Sequence, residues 1–218
     1  MKKPILIVLL LYIFCLGLKA AQRQVLPDVL VLDTGKAQIH SLANFDTKPF
    51  PEYLAKGFLH SAIFNLSTWT SLLAMPQSIS KWDPALKFKF ENIRDQYIST
   101  YTKAPIIDTD LWSINYIGHP YQGSFYYNSV RSQGAGIWES AAFCVGQSLL
   151  WEFIWEGGME QPSIQDLLVT PILGSVLGEL SHRAALRMSK HGYEWHEKVI
   201  VCIINPSFAI NVGFRRKR

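Results

Sequence analysis

Between Ile137 and Trp155 the sequence is strongly apolar, and a set of polar or small residues recurs at every fourth position: Ser140, Cys144, Ser148, Glu152 and Glu156. That spacing keeps side chains on one slowly drifting face of an α-helix, so the segment predicts a helix with a single polar stripe. Carboxylates one turn apart repel when both are charged. Exposed, Glu152 and Glu156 are an ordinary amphipathic helix end; buried, they must share a proton, pair with a cation or bind a metal. Glu139, Gln147 and the two glutamates also keep the segment from being a clean membrane span, since a charge inside a membrane helix costs roughly 3 kcal/mol.

A second long helix is expected from Ser163 to Ser189. It opens with Pro162-Ser163-Ile164-Gln165-Asp166, in which Ser163 caps the free backbone donors and Asp166 reaches back, a capping box. Farther on, Thr170, Gly174 and Gly178 place small residues at four-residue intervals, where another helix can approach closely. The Glu152 helix is the expected neighbour, and Pro171 is expected to bend the stripe. Glu179 and His182 have the Glu-x-x-His spacing of carboxylate-bundle metal sites, which use it on two helices together with two further glutamates. Here it occurs once, so a salt bridge from Glu179 to Arg183 is the simpler fate, although a single-metal site with Glu152 and Glu156 can be drawn.

Earlier in the chain, Tyr53, Phe58, Ala62, Leu66, Trp69 and Leu73 predict a helix that Pro76 closes. Asp83 as N-cap with Pro84 at the first helical position predicts another to Tyr101. A shorter helix is expected over Tyr121–Ser132, and a last apolar segment runs from Glu197 to Ile204 and stops at Asn205-Pro206. His119 precedes Pro120, which predicts an extended backbone and a ring at a helix entrance, placed to act as acid or base with Glu152 or Glu156 as orienter. Arg131 offers a cation for a buried glutamate, which would make these side chains a structural network that includes Asn115, Arg131, Ser148, Asp166 and Glu179.

The first residues bear on compartment. Lys2 and Lys3 precede an apolar run from Ile5 to Leu18, and Gly17, Ala20 and Ala21 follow the order of a secretory signal. The run is about fourteen residues, short of the roughly twenty that cross a bilayer, so cleavage near Ala20 is expected. Cleavage would remove three lysines and no acid, leaving 18 basic against 17 acidic residues. Four of those cations are Arg215, Arg216, Lys217 and Arg218, a basic tail expected over 211–218, so the net charge gives no reason to expect a nucleic-acid partner. Residues 21–52, punctuated by Pro27, Gly35, Pro49 and Pro51, read as an extended leader before a single helical domain over 53–210. Cys144 and Cys202 lie among apolar residues, where buried thiols and a disulfide are both open, and they have no zinc-type spacing.

Asn115, His119-Pro120, Gly123, Tyr126-Tyr127, Arg131-Ser132, Gly134, Trp151-Glu152, Glu156, Pro162-Ser163, Asp166, Thr170-Pro171, Gly174 and Gly178-Glu179 occur together in one order. Over about residues 105–190 the chain resembles the bacterial family described as domain of unknown function 3943. The resemblance implies a protein of the Gram-negative envelope, of a kind common in the Bacteroides group, and brings no established activity.

The sequence therefore predicts a mainly α fold, a compact helical bundle or hairpin after an extended leader. The function expected is that of an exported cell-envelope protein, periplasmic or outer-membrane associated, structural or interacting, with membrane lipid or an envelope protein as partner. The alternative is a lipid- or cell-wall-directed hydrolase or acyltransferase using His119, Glu152 and Glu156. Gly-x-Ser-x-Gly, His-Glu-x-x-His and phosphate-loop motifs are absent from the sequence, so neither a nucleotide nor a cofactor is expected.

Overall fold

The computed structural model describes residues 52–214, except for the His191 side chain. The expected signal segment, all of the leader before Glu52 and the four terminal cations lie outside the described residues. Helix α1 spans Glu52–Ala74; α2 (Gln77–Ser80) and α3 (Pro84–Lys87) are single turns; α4 is Phe90–Thr102. A π-helical turn, Ile114–Gly118, leads into α5, His119–Arg131. Next come α6, Ile137–Leu150, and a second π turn, Trp151–Trp155. Then follow α7 (Ile164–His191), α8 (Trp195–Ile204) and α9 (Pro206–Asn211). The nine helices are the α-helical content of the described residues, which hold no strand beyond an isolated parallel bridge between Ile106 and Ser163.

Helix α5 is the centre of the fold and is buried along nearly its whole length, although it carries Gln122, Gly123, Ser124, Asn128 and Ser129. Helix α7 runs parallel to it. His119 Nδ1 lies 3.1 Å from Thr170 Oγ1, Asn128 Nδ2 donates to the Gly178 carbonyl at 3.1 Å, and Arg131 meets Glu179. Numbers rise together on both helices. Midway, the backbones touch: a methyl group on Gly174 would lie 2.5 Å from Gly123 Cα, and one on Gly178 would lie 2.7 Å from the Tyr127 ring. The small-residue stripe thus serves α5 rather than the Glu152 helix expected from sequence. Helix α6 joins them through Cys144, whose thiol donates to the Gly123 carbonyl at 3.2 Å.

Helix α1 packs antiparallel to α5, with Gln133 Nε2 donating to the Tyr53 carbonyl and Tyr126 hydroxyl donating to Asn65. Its buried face is Tyr53, Gly57, Ser61 and Asn65, while Phe58 and Leu66, expected in the apolar pattern, are exposed. The reason is steric and polar together: Gly57 lets Val130 and Phe143 come close, and Asn65 takes the buried Tyr126 hydroxyl. Helix α7 shows the same inversion. Asp166, Thr170, Gly174, Gly178 and Ser181 face inward, and Ile164, Leu168, Ile172, Val176 and Leu180 face outward, with Ile172 58% and Leu180 61% exposed. No helix among the described residues is long and apolar enough to cross a membrane.

Three local expectations change. The helix expected from Pro84 to Tyr101 breaks at Phe88 and Lys89. Asp83 caps α3 as predicted. Asn92 Nδ2 takes the Ala85 carbonyl, and Lys87 turns inward so that its ammonium donates to the Leu72 and Met75 carbonyls at 3.1 and 2.7 Å, closing the end of α1. His119 is helical, with φ −63° and ψ −42°, not extended. Its N–H bonds to the Ile114 carbonyl across the wider π turn, and Pro120, in the first turn of α5, has no N–H to place. Cys144 and Cys202 are both free thiols, the first buried and the second exposed.

Candidate functional site

The second π turn ends the apolar helix and delivers its two glutamates to one place. Glu152 is 2% exposed, and its Oε2 accepts the Ser163 N–H at 2.9 Å. Glu156 lies beyond the turn and is held by two indoles: Trp82 Nε1 donates to Oε1 at 2.9 Å, and Trp151 Nε1 donates to Oε2 at 2.6 Å. The wider turn is supported from α4. The Tyr101 and Tyr97 hydroxyls donate to the Phe153 and Ile154 carbonyls, and Thr100 Oγ1 donates to the Gly157 carbonyl at 2.7 Å, so helix-end carbonyls find partners.

The loop before the first π turn supplies the opposite wall. Ile106 N–H donates to the Pro162 carbonyl and Ile164 N–H to the Ile106 carbonyl, which clamps this loop to the start of α7. Asp108 then accepts from Ser163 Oγ, from Asn115 Nδ2 at 2.7 Å and from the Asp110 N–H at 2.9 Å. Ser163 Oγ also accepts the Asp166 N–H at 3.1 Å, so half of the predicted capping box forms. The Ser163 N–H, which Asp166 was expected to take, belongs to Glu152 instead. Asp166, 4% exposed, is left facing His119, with Oδ2 3.6 Å from Nε2.

Asp108, Asp110, Glu152, Glu156, Glu160 and Asp166 thus line one cavity of about 10 Å³, room for a single water-sized body. Its lining holds no lysine or arginine. Burial, and then the neighbouring charges, push the carboxyls up: Glu156 to about 7, Asp166 to about 8, Glu160 to about 9 and Asp110 to about 6. Glu152 is raised well above the usual range by burial, then by Glu156. Asp108 is the exception. Burial raises it too, but the donors Ser163, Asn115 and Asp110 N–H outweigh that and hold it low. Burial lowers His119 to about 4, so its ring is neutral.

The other residues singled out in the sequence lie elsewhere. Glu179 receives Arg131 Nε at 2.9 Å, Arg183 Nε at 2.8 Å and the Tyr127 hydroxyl at 2.7 Å. Burial pushes Glu179 up, but these three donors outweigh it and hold the carboxyl at about 2. The expected Glu179–Arg183 pair is present; Arg131 neutralises Glu179 and neither cavity glutamate. His182 is buried edge-on to Phe208, with ring centres 5.7 Å apart. Burial lowers it to about 4. Ser148 is buried, and its hydroxyl has no hydrogen-bond partner among the described residues. His119, Glu152 and Glu156 are therefore brought together, whereas Arg131 and Glu179 form a separate cluster.

Sequence reasoning missed Asp108, Asp110, Glu160, Trp82 and the Thr170 hydroxyl. Glu160 continues the four-residue spacing of Glu152 and Glu156 and was accessible by extending that stripe past its helix. The others arrive through tertiary contacts that carry no periodicity.

Neither curated proteins nor solved structures give a match to the chain. One family model does match, over residues 104–207, and its description is a domain of unknown function, DUF3943. That range contains the bridge at Ile106, the cavity carboxyls, the α5–α7 seam and the Arg131–Glu179 cluster, and over it the chain is similar to the DUF3943 family.

Proposed function

We propose that this protein is an exported cell-envelope protein that works seated against a membrane at its periplasmic side, through structure and interaction, with lipid as the partner of its outer faces. The observation that carries the reading is the inverted polarity of α1 and α7. Small and polar residues pack inward against α5, as they do where lipid rather than water is the surrounding medium. The outward face of α7 from Ile164 to Leu180 carries exposed apolar side chains over about 25 Å of helix. Large exposed apolar patches mark interaction surfaces, and the first exposed cation on this helix is Arg183. The sequence order of Lys2, Lys3, Ile5 to Leu18 and Ala20 supports export.

The test is flotation of the full chain with phosphatidylethanolamine/phosphatidylglycerol vesicles. Wild type should float. Ile172→Glu with Leu180→Glu should remain in the dense fraction at unchanged thermal stability. Wild type that ignores vesicles defeats the membrane reading, and a mature N-terminus still at Met1 in the envelope fraction defeats the cleaved signal.

A second reading, a lipid- or cell-wall-directed hydrolase or acyltransferase, has one observation in its favour: Glu152 and Glu156 line one cavity, and His119 lies beside Glu152 and Asp166. His119 is buried and neutral there, with Asp166 rather than Glu152 or Glu156 as the carboxylate nearest its Nε2. Turnover of phospholipid or peptidoglycan fragments that is lost in His119→Gln would establish it.

A further inference from the structure

We infer that His119, Glu152 and Asp166 form a binding site for one divalent first-row transition-metal ion, such as zinc or manganese, at the inner edge of the acidic cavity. One ligand atom from each of the three lies within 4.8 Å of the others, and all three residues are buried. His119 Nε2 and Asp166 Oδ2 are 3.6 Å apart, too long for a good hydrogen bond. It is close to the separation of two ligands that each sit roughly 2.0–2.2 Å from a shared ion.

Cavity acidity alone does not define a site. The independent observation is Glu152: its side chain lines the cavity, is 2% exposed, and has an Oε1 with no hydrogen-bond partner among the described residues. A buried carboxylate oxygen without a donor is costly, and a cation removes that cost without adding a residue.

The surroundings have the form of a metal site's outer shell. Thr170 Oγ1 lies 3.1 Å from His119 Nδ1. A proton on Nδ1 donated to that hydroxyl leaves the Nε2 lone pair for the ion. The Ser163 N–H fixes Glu152 through Oε2, and the N-terminus of α7, where Asp166 sits, is anchored by Ser163 Oγ. One imidazole nitrogen among carboxylate oxygens favours zinc, manganese or iron over magnesium and calcium, which prefer oxygen alone. Three protein ligands leave a further position, on the side where the cavity has room for one water.

The experiment uses the full chain, freed of metal by chelator and titrated calorimetrically with Zn2+ and Mn2+, with a thermal scan before and after. Wild type should bind one equivalent and melt at a higher temperature when loaded. Glu152→Gln and Asp166→Asn should fold, because each keeps the shape of a neutral carboxyl, and should bind at least about tenfold more weakly, the loss seen even for outer-shell partners. His119→Gln should weaken zinc more than calcium. Glu179→Gln, in the other cluster, should bind as wild type. Absence of stoichiometric binding by wild type overturns the site. So does undiminished binding by Glu152→Gln together with Asp166→Asn, or binding of calcium as tight as zinc with no effect of His119→Gln.

Discussion

The two ends of the α5–α7 seam solve the same problem in opposite ways. At one end Glu179 is partly buried, and Arg131, Arg183 and Tyr127 donate to its carboxylate, so it stays ionised. At the other, Glu152 and Asp166 are buried with more carboxyls around them, and a neutral imidazole is the nearest nitrogen base to Asp166. An acid inside a protein is neutralised by a fixed cation or by a proton, or it is left to bind a mobile cation. The first end is a finished contact that pins α7 to α5. The second keeps unused acceptor capacity, which is what a site needs and a strut does not.

The comparison can be broken in order of size. Gly174→Leu drives a side chain into Gly123 and separates the two helices between the clusters; it should cost about 3 kcal/mol or more by urea denaturation, and a near-neutral result would mean the seam is not close-packed. Glu179→Ala leaves Arg131 partly buried without its anion and should cost about 2 kcal/mol at neutral pH. Glu152→Gln should have the opposite sign in the metal-free protein, a gain in stability above neutral pH, because burial and Glu156 disfavour the charged form of Glu152 and the amide carries no charge. A loss of the size seen for Glu179 would make the two ends alike.

A further contrast lies in the pH profile of the metal-free chain. Glu156, Asp166 and Glu160 keep protons up to about 7, 8 and 9 when folded and release them near 4.5, 3.8 and 4.5 when unfolded. Between those limits the folded state binds more protons, so stability should fall as pH rises from about 4.5 to 9, and less steeply in Glu160→Gln. Glu179 works the other way, since its carboxyl is held at about 2 against an ordinary 4.5. Its contribution is present above 4.5 and should fade as pH falls toward 2. A flat profile from 6 to 9 would remove the distinction.

What the sequence disclosed follows the range of the interactions. The Glu152 stripe, the Asp83 cap and the Glu179–Arg183 pair are local patterns with helical spacing, and all three were legible. Arg131 and Glu179 are 48 positions apart and Ser163 and Asp108 are 55 apart, so no period joins them. Two of the six cavity carboxyls, Asp108 and Asp110, therefore came from the loop clamped at Ile106, which the sequence presents only as a short run between helices. The buried face of α1 was misassigned for a different reason. An apolar pattern marks an inward face when the outside is polar, and here Gly57, Ser61 and Asn65 go in while Phe58 and Leu66 stay out.

The π turn at Trp151–Trp155 acts as a counting device. A π turn accommodates one residue more than an α turn, so it changes the direction in which the helix end presents its last residue by about 100°. Glu152 lies within it and Glu156 just beyond, where Trp82 and Trp151 hold its two oxygens. Substitutions in the turn should alter packing by degrees. Deleting one of its residues should instead reset the phase of the helix end, turning Glu156 by about 100° while leaving the composition of the segment almost unchanged.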